Sequence, residues 1–297
     1  MPGCKGPRDP HPIRTRREPR LTLGVPISIS SFQQAPPRWR GSSAFTQISV
    51  LTGRSLHATL TDWRLVMLNL VQPVVILVLF TQVFGSLASG ASFPAGVDYI
   101  EFLMPAILVN TALQSSIQSG VGLVDDMKNG VLNRLRSLPI RPSSILVARS
   151  ISDLVRTGFQ LVVIHTLASA LFGYYPATGF PGVLISLSLA LVVGWGITWV
   201  FLALGTWMRN AEVMQSVSVL TMFPLMFASS AYVPIADMPA WLGAVATVNP
   251  LTYAVDATRA VALGLPGGGS ALLATAISLV IAGISGVIAT TGFRRPQ

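Results

Sequence analysis

The chain is expected to fold as an all-α integral membrane protein with six transmembrane helices and both termini in the cytoplasm. An interfacial amphipathic helix precedes the first span, and short re-entrant helices lie between spans five and six. Three observations lead to this reading. Charged residues make up 10% of the 297-residue chain, where a soluble domain carries about 25%, and the mean hydropathy is +0.62. Six stretches are long and apolar enough to cross roughly 30 Å of hydrocarbon, which takes about 20 residues. The arginines cluster beside alternate ends of those stretches, the pattern that sets membrane orientation.

The net charge of +9 would suit nucleic acid or a membrane surface. Because the basic residues flank apolar runs and form no polar domain of their own, the lipid bilayer is the expected partner and nucleic acid is not. Cys4 is the lone cysteine, which excludes a disulfide framework within the chain and a cysteine metal site.

Residues 1–43 hold Pro2, Pro7, Pro10, Pro12, Pro19, Pro26, Pro36 and Pro37 among many arginines. Such a composition cannot bury a core, so a disordered, basic cytoplasmic tail is expected. A signal peptide fits poorly, since LTLGVPISI is short and broken by Pro26. Residues 44–297 are taken as one transmembrane domain. It opens with AFTQISVLTGRSLHATLTD, residues 44–62, where Phe45, Ile48 and Thr59 fall on one helical side and Arg54, His57 and Asp62 bring polarity. That spacing suits a helix lying in the membrane interface.

The spans are placed at 65–84, 99–121, 145–172, 183–208, 213–233 and 271–293. Pro73, Pro105 and Pro224 fall inside them, which is tolerated where neighbouring helices satisfy the freed carbonyls. With the N-terminus inside, the cytoplasm receives the tail, the 123–144 loop, Arg209, Arg294 and Arg295, and the outside receives only Arg259. The third stretch begins ILVARSISDLVR, with Arg149, Asp153 and Arg156 at steps of four and three, so that they share a face and can pair. A charge at the bilayer centre costs about 2.5–3.5 kcal/mol on insertion scales. The membrane part of this helix is therefore expected to start near Thr157.

Between spans two and three lies VDDMKNGVLNRLRSLPIRPSS, residues 124–144, with Met127, Val131, Leu135 and Leu138 at helical spacing. On local sequence alone the favoured reading is an amphipathic helix held at anionic lipid. The competing one is a stiff element that takes a push from a soluble partner.

The longer stretch GLVDDMKNGVLNRLRSLPIRPSSILVARSISDLVR resembles the central signature of the ABC transporter permeases of the second exporter class (ABC-2 type), and most of all their daunorubicin-resistance branch. YIEFLMPAILV in the second span and SSAYVPIADMPAWLGAVATVNPLTYAVDATRAV after the fifth are similar to that family's other marked stretches. The likeness runs from about residue 44 to the end, although MPAIL stands where many relatives have a glycine after the proline. It implies a permease domain over 44–297 that pairs with a second permease copy and sits on P-loop ATPase subunits. Residues 124–141 would then be the coupling helix, with Leu135 and Leu138 as apolar contacts and Asp125, Asp126, Lys128, Arg134, Arg136 and Arg141 as polar ones. Residues 44–62 would be the connecting helix.

The chain has no phosphate-binding loop of its own. That motif needs a Gly-Lys pair, whereas Lys5 follows Cys4 and Lys128 follows Met127. GLPGGGS, residues 264–270, lacks the lysine. No bound cofactor is expected, and ATP and Mg would be used by the partner. No enzymatic set is recognised: His11, His57 and His165 lack zinc spacing, His165 is expected to make a helix-packing hydrogen bond rather than to relay protons or touch substrate, and Asp98 and Glu101 are taken as a helix cap.

Pro234, Pro239 and Pro250 break the apolar segment after span five into short re-entrant helices. The resemblance makes these an outer gate, with Pro234, Met238, Pro239, Trp241, Asn249 and Pro250 as its candidate residues. Met214, Met222, Phe223, Met226 and Phe227 are candidates for an adaptable, greasy substrate path, with ordinary helix packing as the simpler explanation. The expected function is a plasma-membrane permease subunit exporting a hydrophobic drug, such as an anthracycline, or a complex envelope lipid. The alternative is a secondary transporter of hydrophobic compounds driven by an ion gradient.

Overall fold

The computed structural model describes residues 43–61, 63–85, 97–130, 142–208, 210–265 and 268–293. Among these, the regular structure is entirely helical. Ser43 starts it, its hydroxyl accepting the Thr46 amide at 3.2 Å, an N-cap for α1, Ala44–Thr61. The helix expected over 44–62 is thus present, and the tail before Ser43 lies outside the described residues. There follow α2, Trp63–Phe84; α3, Tyr99–Lys128; α4, Pro142–Phe172; α5, Gly179–Met208; and α6, Ala211–Phe227. A 3-10 turn at Ile235–Asp237 leads to α7, Ala240–Val248, then α8, Pro250–Leu263, and α9, Gly268–Phe293.

α2, α3, α4, α5 and α9 are long and apolar enough to cross a membrane. The fifth expected span, 213–233, is shorter than the sequence suggested. α6 stops at Phe227 after 17 residues, about 25 Å at 1.5 Å per residue. Pro224, in its last turn, has no amide for the Leu220 carbonyl and so weakens that end of the helix. The carbonyls of Leu225 and Ala228, left over where the helix ends, are taken by the Asn249 side-chain amide at 2.7 and 2.6 Å.

α3 is the axis of the bundle. Of its most apolar stretch 89% is buried, against 17% for α2 and for α9, which form an exposed apolar rim. It packs against α2, α4, α5, α6 and α8, while α5 packs against both α3 and α9. Bare backbone makes those contacts close. A Cβ on Gly194 would sit 2.6 Å from that of Ala112 on α3, and one on Gly196 would sit 2.7 Å from the Ser278 carbonyl on α9. Small residues at such crossings let helices approach where lipid removes the hydrophobic drive between them.

Polar side chains complete the crossings. Ser116 donates to the Gly194 carbonyl at 2.8 Å, the Asn69 and Gln118 amides pair at 3.0 and 3.1 Å, and Trp195 Nε1 donates to Ser150 at 2.6 Å. α1 lies along α4, with Thr52 Oγ1 donating to the Ala148 carbonyl and Ser152 Oγ to the Thr52 carbonyl, both at 3.4 Å. The short helices expected before the last span are α7 and α8, and Gly264 ends α8 at φ 69°, where a side chain would be strained.

Candidate functional site

α3 and α4 hold 30 and 31 residues, about 45 Å each, so both outrun a hydrocarbon layer by several turns. All their charged residues but Glu101 lie toward the end where α3 finishes and α4 begins. Arg149, Asp153 and Arg156 share a face, as their spacing predicted. Asp153 lies 3.8 Å from Arg149 Nε and 3.3 Å from Arg156 Nη2. Arg149 also pairs across to Asp126 on α3, and Ser119 on α3 donates to Asp153. Arg156 Nη2 reaches the carbonyl and hydroxyl of Ser115 at 3.4 and 3.3 Å, and Ser115 and Thr157 bond to each other. The result is a belt of alternating sign that fastens the last turns of α3 to the first half of α4.

Of the expected coupling residues, Asp125 and Lys128 are exposed and Asp126 is half-buried in the belt. Residues 124–128 belong to the end of α3 and do not start a separate helix: the chain turns at Asn129 and Gly130, the latter at φ 69°. Arg134, Leu135, Arg136, Leu138 and Arg141 lie outside the described residues.

The other end of α3 carries a second polar assembly. Asn249 is buried and stands between α7 and α8. Its Oδ1 accepts the Leu251 amide at 2.9 Å, capping α8 with Pro250 at the first helical position. Its Nδ2 holds the end of α6, as described. Ten residues on, Arg259 is 7% exposed. Its Nε donates to the Phe102 carbonyl on α3 at 3.1 Å, and its guanidinium lies 3.6 Å from the Phe102 ring centroid. Nη2 donates to the Ser230 and Ala231 carbonyls at 2.8 and 3.5 Å, and Nη1 to Asp256 at 2.7 Å. Ser230 Oγ donates to the same Asp256 oxygen at 2.7 Å. Tyr232 extends the contact, accepting from Tyr99 at its carbonyl (3.2 Å) and from Asn110 at its hydroxyl (3.1 Å).

The remaining outer-gate candidates surround this clasp unevenly. Pro234 and Pro239 precede the 3-10 turn and α7, Met238 is half-buried, and Trp241 is 70% exposed. Val248 is 81% exposed, and Ala246 is the one buried residue of α7. An open apolar groove of about 540 Å³ runs between α7 and the end of α6, lined by Pro224, Leu225, Ala244, Val245, Val248 and Asn249–Pro250. The five substrate-path candidates fall on two faces of α6. Met214, Met222 and Met226 are buried with Ser218. Phe223 and Phe227 are exposed, their rings 4.8 Å apart; the Phe227 ring lies 5.6 Å from that of Tyr232, which in turn lies 4.6 Å from Phe80.

Sequence reasoning treated Arg259 only as an orientation marker and did not pair Asp126 with α4. The signal for the first was DATR, an acid and a base three residues apart in an otherwise apolar stretch. The second needs two helices brought together and has no local signal. Asp98 and Glu101 do act as a cap, the Asp98 amide donating to Glu101 at 3.2 Å, whereas His165 makes an edge-on ring contact with Tyr174 at 5.5 Å in place of the expected hydrogen bond.

Comparison with known proteins fits this geometry. The family described as ABC-2 type transporter matches residues 46–263. A daunorubicin resistance ABC transporter permease protein of Streptomyces coeruleorubidus is 29% identical over 72% of this chain and 77% of its own. A protein of Pyropia yezoensis named as a transport permease is 30% identical over 66% of this chain and 68% of its own. A Mycobacterium tuberculosis protein, named for doxorubicin resistance as an ABC transporter permease, is 26% identical over 82% of this chain and 88% of its own.

Proposed function

Since the chain belongs to the ABC-2 type transporter family, we propose that it is the membrane subunit of an ATP-driven exporter whose ATP is burned by a separate P-loop ATPase. In this reading the belt end of the bundle faces the cytoplasm. The chain crosses six times, with α6 as a short fifth crossing and both termini inside, and α7 and α8 form the re-entrant outer gate. Two permease copies stand side by side on their ATPases, which hold the Mg and ATP. The cargo is a hydrophobic drug of the anthracycline kind or a complex envelope lipid, moved outward.

The observation that carries the reading is the ionic belt. Asp126, Arg149, Asp153 and Arg156 stand together where α3 ends and α4 begins, each acid met by a base. Such a belt makes the start of residues 124–141 rigid with α4, so a force applied to that segment moves a whole helix. The apolar groove beside α7 and the aromatic run from Phe223 to Phe80 suit a greasy cargo.

The test is ATP-dependent uptake of daunorubicin, or of labelled envelope lipid, into inside-out vesicles holding both subunits. Reversing Arg134 and Arg136 to glutamate is expected to abolish uptake and ATPase stimulation together while membrane insertion is kept. Unchanged uptake in that variant refutes the coupling assignment. Uptake that persists when the ATPase's phosphate-binding lysine is replaced, and that follows an ion gradient, refutes the exporter itself in favour of a secondary transporter.

A further inference from the structure

We infer that Arg259 is a positioning residue that latches the outer mouth of the permease shut between transport events, an inference that rests on reading residues 234–250 as the gate. The guanidinium joins three elements, and an outward exit must part the first of them from the other two. Phe102 belongs to the first turn of α3, Ser230 and Ala231 to the turn after α6, and Arg259 itself to α8. Asn249 ties the end of α6 to the start of α8, so those two elements move as one piece. Arg259 is a polar tie from that piece to α3, beside the hydrogen bonds of Tyr99 and Asn110 to Tyr232. α7 adds little hold, with Trp241 and Val248 both largely exposed.

The chemistry suits a contact that opens and recloses. Four of the Arg259 contacts are to backbone carbonyls or a ring, and water can replace the Phe102 carbonyl bond when the mouth parts. Its charge partner Asp256 lies three residues back on the same helix, with a side chain 47% exposed. When α8 withdraws, the ion pair travels with it, and no unpaired charge is stranded in the apolar bundle. A permanent brace would place the counter-charge on the opposite element.

The experiment uses the full permease with its ATPase subunit in proteoliposomes, carrying Cys4→Ser and Ala231→Cys, because Ala231 is fully buried beneath the latch. The probe is a membrane-impermeant maleimide applied separately to each face. Slow labelling from the outer face is expected in the nucleotide-free complex, becoming faster when ATP, Mg and vanadate arrest the cycle. Phe102→Leu removes the ring from beneath the guanidinium. It is expected to raise the resting rate about five-fold, the ratio that ~1 kcal/mol of cation–π contact corresponds to. Arg259→Lys keeps the charge and loses the planar fork, and should also raise it. Both variants are compared at unchanged elution volume of the complex. Equal resting rates in all three proteins, or no effect of vanadate arrest, overturn the latch. Labelling solely from the cytoplasmic face overturns the gate reading instead, whatever the rates.

Discussion

Replacing Asp153 with asparagine tests the ionic belt at its most connected point. Asp153 is 13% exposed and lies 3.3 Å from Arg156 and 3.8 Å from Arg149, themselves 18% and 21% exposed. At an effective dielectric constant of about 20, Coulomb's law gives attractions of about 5 and 4 kcal/mol for those separations. Desolvation offsets much of this, and asparagine keeps one acceptor for Ser119. Arg149, however, still has Asp126, while Arg156 is left with the neutral carbonyl and hydroxyl of Ser115. Breaking a buried pair from one side costs about 3–5 kcal/mol, and partial exposure puts this site at the lower end, about 3 kcal/mol.

The assay is reversible unfolding of the purified chain by SDS in mixed micelles, with Asp153→Asn, Arg156→Gln and the double variant forming a cycle. The double variant should be less damaged than the sum of the singles by at least ~1 kcal/mol, since each single strands a partner that the double removes. Intramembrane hydrogen-bond couplings average about 0.6 kcal/mol, so a value above that marks the charge and not mere hydrogen bonding. A loss below about 0.5 kcal/mol for Asp153→Asn, or an additive cycle, refutes the claim that the belt fastens α3 to α4.

Two further changes probe the bundle and its outer end. Gly196→Ala puts a methyl 2.7 Å from the Ser278 carbonyl, and overpacking of that kind costs about 1–3 kcal/mol; the same SDS titration reads it, with Gly53→Ala, which meets nothing within 4 Å, as the comparison that carries only the helix-propensity gain of alanine over glycine. Asn249→Asp keeps the α8 cap at Oδ1 but loses the donor to the Leu225 and Ala228 carbonyls. Amide exchange measured by mass spectrometry should then quicken over the last turn of α6 while the first turn of α8 keeps its protection, and no quickening over α6 would show that Asn249 is only a cap.

The helices were legible in the sequence because each is written locally. Apolar runs of the right length mark α2, α3, α4, α5 and α9, the amphipathic spacing of residues 44–62 marks α1, and the proline punctuation divides α7 from α8. The shortening of α6 was not legible, because it depends on a side chain twenty-odd residues later: Asn249 reaches back to the carbonyls at which that helix stops. The candidate site divides along the same line. Arg149, Asp153 and Arg156 declared themselves by spacing on one helix, whereas Asp126 and Ser119 join them only after α3 and α4 are laid side by side. Arg259 is the sharpest case. Counted along the chain it is a solitary outer charge that helps to orient the protein. Placed in the fold it is 7% exposed and bonded to the main chain of two other elements. A charge in an apolar stretch is expensive enough that it must be met somewhere, so the sequence announces that partners exist. Only the packing says that most of them are carbonyls, and carbonyl partners belong to no residue type that a sequence pattern can single out.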